Sequence, residues 1–230
     1  PAGSFDPARR IGDSLAEPLC TLAPALGAAE RRARASKALE RAGLDPGLGQ
    51  RYPHQLSGGQ AQRAAVVRAL IADPALLICD EPVAALDGPL RQRILGQLAA
   101  AQRASGLAVL FISHDLDVVR RIAHRVAVLY LGRVVEIAAR DTLFARPRHP
   151  YTRALIDATP KLTPNRAAER RVLPGEPGSL LHPPSGCVFH PRCAYATERC
   201  RRDRPLPEDV DGVRVACHHA RELDLRNLEG

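Results

Sequence analysis

The 230-residue sequence contains no methionine and no tryptophan, and aromatic residues make up only 3% of it. Scarce aromatics argue against a platform on which single-stranded bases would stack. The missing methionine is the pattern expected of a fragment of a longer translated chain. No apolar run approaches the roughly 18 residues that a membrane span needs. The opening Pro1-Ala2-Gly3-Ser4-Phe5 has neither the basic region nor the apolar core of a secretory signal. A cytoplasmic chain that meets a membrane only through a partner is therefore expected. Lysine is almost absent: Lys37 follows Ser36 and Lys161 follows Pro160, so the phosphate loop G-x-x-x-x-G-K-[ST] does not occur among these residues. What is present in excess is arginine, which carries nearly all of the formal charge of +8. A basic balance suits nucleic acid or an anionic membrane surface. The accompanying excess of alanine and proline favours the plainer reading, arginine bias from a GC-rich genome.

Punctuation and periodicity divide the chain. Residues 1–29 are rich in Pro, Gly and Ala around a short apolar segment, Ile11-Leu15-Leu19. Glu30 to Ala42 reads as a helix stopped by Gly43. Ser57 stands as the N-cap of a run to about Ala72, ended by Asp73-Pro74. Ala75 to Cys79 is a short, fully apolar run, the mark of a buried parallel strand. Arg91 to Ala104 is amphipathic, with Ile94, Leu95, Leu98 and Ala101 on one face. Leu107 to Ile112 is a second apolar strand, Asp115 caps a helix through Ala123, and strands 125–130 and 133–137 flank the turn Leu131-Gly132. This alternation predicts an α/β layer with parallel strands. Beyond about residue 146 prolines multiply and helical periodicity fades, so little regular structure is expected in 146–230.

Chemistry concentrates at three places. In Leu56-Ser57-Gly58-Gly59-Gln60-Ala61-Gln62-Arg63, two glycines at a helix start let backbone approach a ligand, and free N–H groups with the helix dipole favour an anion. A glycine pair alone would be an ordinary turn; this one lies about twenty residues before an apolar strand ending in acids. That strand, Leu76-Leu77-Ile78-Cys79-Asp80-Glu81, holds an aspartate at its carboxyl end, where it suits the Mg²⁺ of a nucleotide. Glu81 is placed to polarise an attacking water. Pro82 and Asp87 argue against a strand that merely ends in two solvated acids. Phe111-Ile112-Ser113-His114-Asp115 repeats the arrangement, with His114 where it could meet a γ-phosphate.

LSGGQ, LLICDEP, AALD and FISHD, in this order and spacing, resemble the nucleotide-binding subunits of ABC transporters. The resemblance implies a P-loop NTPase-like ABC nucleotide-binding α/β fold with a helical subdomain and a Pro/Cys-rich C-terminal extension. It places the helical subdomain at 1–74, the catalytic α/β half at 75–145 and the extension at 146–230. It implies ATP and Mg²⁺ as ligands. Ser57, Gly58, Gly59 and Gln60 would form the signature motif that contacts ATP held by the opposite subunit. Asp80 would be the Walker B aspartate, Glu81 the catalytic glutamate, Asp87 the D-loop aspartate and His114 the switch histidine. Ala84 stands where serine is usual in the D-loop. In the family a Gln-Asp pair precedes a stretch like Pro1 to Pro7, so the chain is expected to begin just past it, without Walker A, and to be inactive alone.

The branch is legible as well. Asp6-Pro7, Ala16-Glu17-Pro18-Leu19, Arg51-Tyr52-Pro53-His54-Gln55, His149-Pro150-Tyr151-Thr152, Leu173-Pro174-Gly175-Glu176-Pro177 and Pro183-Pro184-Ser185-Gly186-Cys187 resemble oligopeptide/dipeptide (peptide/nickel) importer ATPases. Cys79 leans toward the second of the two ATPases that such importers carry. The resemblance implies a second ABC ATPase subunit as homo- or heterodimer partner, two transmembrane permease subunits, an indirect link to an extracytoplasmic substrate-binding protein, and a peripheral place on the cytoplasmic side of the inner membrane. No nucleic acid is expected. Two other functions compete: a soluble ABC ATPase acting on DNA or ribosomes, favoured by the charge alone, and a truncated, non-catalytic remnant.

Six cysteines in a cytoplasmic chain are poor candidates for disulfides. Cys187, Cys193, Cys200 and Cys217 cluster near the end, and four thiolates suit Zn²⁺ or an iron–sulfur cluster. Close C-x2-C pairs are absent, and His190, His218 and His219 leave a mixed site open, as they leave free thiols open. The matching cysteines of the peptide-importer family imply a [4Fe–4S] cluster.

Overall fold

The computed structural model describes residues 4–84, 86–159, 175 and 178–225. They fall into two compact units, Pro1–His114 and Asp115–Gly230. Among the described residues no helix is long and apolar enough to cross a membrane.

The first unit begins with helices α1 (Ile11–Leu22) and α2 (Ala28–Arg41), then two short 3₁₀ turns, Pro46–Gln50 and Pro53–Gln55, and helix α3 (Gly58–Leu70). The apolar stripes of the three helices meet. Ile11, Leu15 and Leu19 of α1 pack with Ala35 and Leu39 of α2 and Ala64 and Val67 of α3, closed by Phe5 and Leu48. Full burial of each large aliphatic removes roughly 1.5–3 kcal/mol of unfavourable hydration, so this cluster holds three helices with few polar ties. The tie between Arg63 Nη1 and the Gly43 carbonyl (3.1 Å) joins α3 to the end of α2, where Gly43 adopts φ 66°. A left-handed C-cap position favours glycine, as the sequence predicted.

Strand β1 (Leu76–Asp80), helix α4 (Gly88–Ser105) and strand β2 (Ala108–Ile112) complete the unit. β1 and β2 pair in parallel, Leu76 opposite Ala108 through Asp80 opposite Ile112. The predicted parallel layer is thus present, but among the described residues it has two strands. Leu77 and Cys79 are buried, whereas Leu76, Ile78, Leu110 and Ile112 are exposed on the other face. The expectation of strands buried on both sides is corrected here: a run of identical hydrophobicity does not reveal which faces are covered.

The second unit holds helix α5 (Leu116–Ile122), strands β3 (Arg125–Tyr130) and β4 (Arg133–Ala139), helices α6 (Arg140–Ala145), α7 (Pro150–Ala158) and α8 (Glu198–Arg202), and strands β5 (Glu208–Val210) and β6 (Val213–Val215). The strands form one antiparallel sheet in the order β3-β4-β6-β5. The reading of the region beyond 146 as largely irregular needs correction. β6 pairs with β4, and Val210, Val213, Val215, Val188 and Phe189 join the core of the unit. Two three-residue strands are too short for a period-2 signal to stand out. The segments 160–174, 176–177 and 226–230 lie outside the described residues.

The organising contact of this unit is a buried carboxylate. Glu136 on β4 is fully buried and accepts the backbone N–H groups of Arg148 (2.8 Å) and His149 (3.0 Å). His149 then caps α7, its Nδ1 accepting the N–H of Tyr151 (3.0 Å), with Pro150 at the first helical position. Tyr130, Tyr151 and Phe189 close around it with ring centroids 4.6–5.3 Å apart. The His-Pro-Tyr-Thr segment is therefore an architectural clamp.

Burial pushes the His149 imidazole down to about 3 from 6.5. Its folded value lies below its unfolded one, so the unfolded state binds the extra proton as acidity rises. Stability should be lost as the pH falls from about 6.5 toward about 3, at up to roughly 1.4 kcal/mol per pH unit. Denaturant melts followed by circular dichroism should show this acid limb. His149→Asn, which keeps an acceptor for Tyr151 but cannot titrate, should flatten it.

Candidate functional site

The site in the first unit is built on the carboxyl ends of β1 and β2. Asp80 ends β1, exposed, and its carboxylate makes no hydrogen bond or ion pair among the described residues. An unpaired carboxylate at a strand end fits a divalent cation that carries phosphates. The chain then turns at Glu81, which has φ 47°, a strained value for a residue with a side chain. Its N–H donates to the Ile112 carbonyl (3.0 Å), extending the ladder by one bond. The carboxylate Oε1 accepts the N–H of His114 (3.1 Å) and lies 2.6 Å from His114 Nδ1. Glu81 and His114, assigned from separate motifs, are thus one bonded pair. Glu81 is about a third exposed and His114 largely exposed, so both face solvent at the strand ends.

The glycine pair opens α3. Ser57 Oγ accepts the N–H of Gln60 (3.2 Å), and Gln60 Oε1 accepts the N–H of Ser57 (2.9 Å), a reciprocal capping box. Both side chains named as nucleotide contacts therefore serve the helix end in this state. Gly58 is exposed; Gly59 lies against α4, where a Cβ would come within 2.6 Å of Leu90. Asp87 caps α4, its carboxylate accepting the N–H of Leu90 (2.9 Å). Leu90 thus joins the signature turn to the Asp87 cap. Gln62 was not singled out by the sequence, yet its amide donates to the Pro82 carbonyl (2.5 Å), tying α3 to the turn that follows Glu81. Its position two residues past the signature is the only sequence cue it offers.

The four clustered cysteines lie in the second unit. Cys187 N–H donates to the Cys200 carbonyl (2.8 Å), and Ser185 Oγ donates to the Arg201 carbonyl (2.9 Å). Cys200 Sγ lies 3.3 Å from Thr197 Oγ1 and 3.6 Å from His219 Nε2. Burial pushes the Cys193 thiol up to about 11 and that of Cys217 up to about 12, and the neighbouring thiols add to both shifts. The four thiols lie near enough for their charges to interact. In type they match a thiolate-binding metal, but among the described residues no group of three or more His, Cys, Asp or Glu is arranged to hold an ion. Cys200 is buried, and Cys187, Cys193 and Cys217 are partly buried against the core of the unit.

Residues 4–84 match the ABC transporter family, and residues 135–200 match the oligopeptide/dipeptide transporter C-terminal region. The sequence is 46% identical to the dipeptide transport ATP-binding protein DppF of Haemophilus influenzae over 95% of this chain and 67% of that protein. The chain belongs to the ATP-binding subunits of oligopeptide/dipeptide ABC transporters. It is also 46% identical to the di/tripeptide transport ATP-binding protein DppF of Pseudomonas aeruginosa, over 97% of this chain and 69% of that one. Identity to the oligopeptide transport ATP-binding protein OppF of Escherichia coli is 44%, over 94% and 66%. The chain therefore spans about two thirds of the length of these relatives. A dimeric post-hydrolysis structure of an ATP-binding cassette bound to ADP and Pi matches with TM-score 0.54 and 31% identity over 59% of each chain. The ABC cassette fold is shared.

The tight join beside the cysteines gives a test of their setting. Gly186 has φ 61°, and a Cβ there would lie 2.5 Å from the Cys200 carbonyl oxygen. Gly186→Ala meets both strain and backbone overlap, and should lower stability by about 2–4 kcal/mol, measured by urea unfolding. Gly96→Ala, in open space on α4, should not.

Proposed function

We propose that this chain supplies, to a dimeric ATPase, the signature face and the hydrolytic carboxylate that energise peptide import through an ABC transporter. The observation that carries the reading is the Glu81–His114 pair at the ends of two parallel strands, in a chain whose relatives are named dipeptide and oligopeptide transport ATP-binding proteins. On this reading Ser57, Gly58, Gly59 and Gln60 face ATP held by the opposite subunit. Asp80 takes the Mg²⁺, which neutralises phosphate charge when bound. Glu81 accepts a proton from the attacking water, with His114 fixing the carboxylate through its ring and its N–H. Asp87 holds the turn between them. The dimeric cassette supports a paired arrangement, and the permease subunits, the binding protein and the inner-membrane address are proposed with it. A helical layer at 1–74, a catalytic half at 75–145 and an extension at 146–230 is the matching functional division. The capping box at Ser57 implies that nucleotide must compete with the helix for these side chains, so engagement would shift the start of α3.

In the ATPase assembled with its phosphate loop, Glu81→Gln should bind ATP normally and slow hydrolysis by roughly 100- to 10,000-fold, and His114→Ala should also impair turnover. Single-turnover hydrolysis of bound ATP checks both; a wild-type rate in Glu81→Gln would reject the assignment. The isolated 230-residue chain should turn over negligibly, because its sequence contains no G-x-x-x-x-G-K-[ST] loop and electrostatic stabilisation dominates phosphoryl transfer.

Ligation of a [4Fe–4S] cluster, or alternatively zinc, by Cys187, Cys193, Cys200 and Cys217 is a separate proposal. Their proximity and the family resemblance support it; it requires the thiols to close up and shed their protons. Anaerobic purification should then give a brown protein absorbing near ~400 nm, with stoichiometric zinc as the alternative outcome. A colourless, metal-free and stable protein would leave the four as reduced core thiols.

A further inference from the structure

The turn that follows β1 is held from two directions. Proline has no N–H, so the buried Pro82 offers one backbone polar group, its carbonyl. A buried carbonyl calls for a donor. The donor here is a side chain twenty positions earlier, Gln62 Nε2, at 2.5 Å. Immediately before Pro82 stands Glu81, with φ 47°. Such a backbone persists only where its surroundings over-determine it. From the side of β2, Ile112 O takes the Glu81 N–H (3.0 Å), and His114 N–H donates to the Glu81 carboxylate (3.1 Å). From the side of α3, Gln62 fixes the far end of the same turn. The pyrrolidine ring locks the φ of Pro82, so a fixed carbonyl leaves little slack in the peptide planes on either side of it.

The helix that carries Gln62 has two sides with different partners. Ala64 and Val67 belong to the apolar cluster of the three helices. At about 100° of rotation per residue, Gln62 lies roughly opposite both of them. One side of α3 therefore holds the helical layer, and the other reaches the turn beside Glu81. Ser57 to Gln60 open the same helix less than two turns away, closed by their capping box. Over so short a span a hydrogen-bonded helix moves as a rod. A displacement at its start is passed to the Pro82 carbonyl through one side chain.

We propose that Gln62 is a positioning residue for Glu81. It holds the carboxylate where it can act on water, and it makes that place follow the start of α3. The inference rests on the hydrolytic reading of Glu81 given above and extends it. A nucleotide that engages Ser57 to Gln60 from the opposite subunit would then register on the carboxylate of this chain. The size of the effect has a ceiling. Gln62 acts through Glu81, so losing it cannot cost more than losing Glu81 itself. Misplacing a reacting group by about 1 Å costs on the order of 100-fold, and a loss of roughly 10- to 100-fold is expected here.

Gln62→Met keeps the length of the side chain and removes the donor; Gln62→Asn, whose amide stops one methylene short, gives the same comparison where Gln62→Met does not fold. Hydrogen exchange on the 230-residue chain is the first arm. The Glu81 amide should exchange about fivefold or more faster in the variant, while the α3 amides of Ala61 and Ala64 keep their wild-type rates. Unchanged exchange at Glu81, or an equal rise along α3, would overturn the proposal. The second arm is single-turnover hydrolysis by the assembled ATPase, in a cycle of wild type, Gln62→Met, Glu81→Gln and the double variant. Gln62→Met should bind ATP as wild type does and hydrolyse it roughly 10- to 100-fold more slowly. In the Glu81→Gln background the same change should cost less than about twofold, because the group it positions is gone. A purely structural role would slow both backgrounds by the same factor, and that result overturns the proposal. With Glu81→Gln slow, a wild-type rate in Gln62→Met rejects this inference alone. A wild-type rate in Glu81→Gln rejects the hydrolytic reading, and the exchange arm, which reads no hydrolysis, still decides whether Gln62 holds Glu81 in place.

Discussion

The first unit depends on the parallel register of two five-residue strands. Asp80 opposite Ile112 sets the next residue, Glu81, beside the end of β2, and the bond from Glu81 N–H to Ile112 O extends the ladder past the last pair. Only then do Glu81 and His114 meet at 2.6 Å. The left-handed backbone of Glu81 is what turns its carboxylate onto its neighbour, at the cost of local strain. A slip of one residue in this register would separate the pair and turn the buried Leu77 and Cys79 outward. The helical layer reaches the same place through one bond, from Gln62 to the Pro82 carbonyl. Helix α3 and the turn after β1 are therefore linked mechanically within the unit.

The second unit solves a different problem. It must order a proline-rich stretch, and it does so with one buried acid that gathers the start of α7 and with aromatic rings packed around the cap. Burial holds the Glu136 carboxyl above its usual range, while the N–H donors of Arg148 and His149 work against that shift. Four cysteines sit in the same unit: Cys200 is buried, and Cys187, Cys193 and Cys217 are partly buried against its core. Core burial by Val188, Phe189, Val210, Val213 and Val215 supplies folding energy to this stretch.

Most of the first unit was legible. Gly43 marked the end of α2, Ser57 marked the start of α3, and the apolar runs gave β1 and β2, whereas α1 was read only as an apolar segment in a Pro-, Gly- and Ala-rich stretch. The positions of Asp80, Glu81 and His114 at strand ends and of Ser57 at a helix start were legible from the punctuation of the sequence. What could not be read were interactions that join distant segments. The Glu81–His114 bond spans 33 positions, and Gln62 to Pro82 spans 20. Glu136 looked like one more polar residue in a strand, because nothing in its neighbourhood announces that residues 148 and 149 return to it. β6 was hidden by its length, and its partner β4 lies some eighty residues earlier.

On the proposed function, Ser57 to Gln60 face the γ-phosphate of a nucleotide held by another subunit, opposite Glu81. Vanadate trapped with Mg-ADP in the assembled ATPase takes the place of that phosphate, and irradiation cleaves backbone beside it. Mass spectrometry of the fragments reads the answer directly. Cleavage of this chain at Ser57, dependent on Mg²⁺ and nucleotide, is expected; a trapped complex that is cleaved only outside residues 57–60 would contradict that placement.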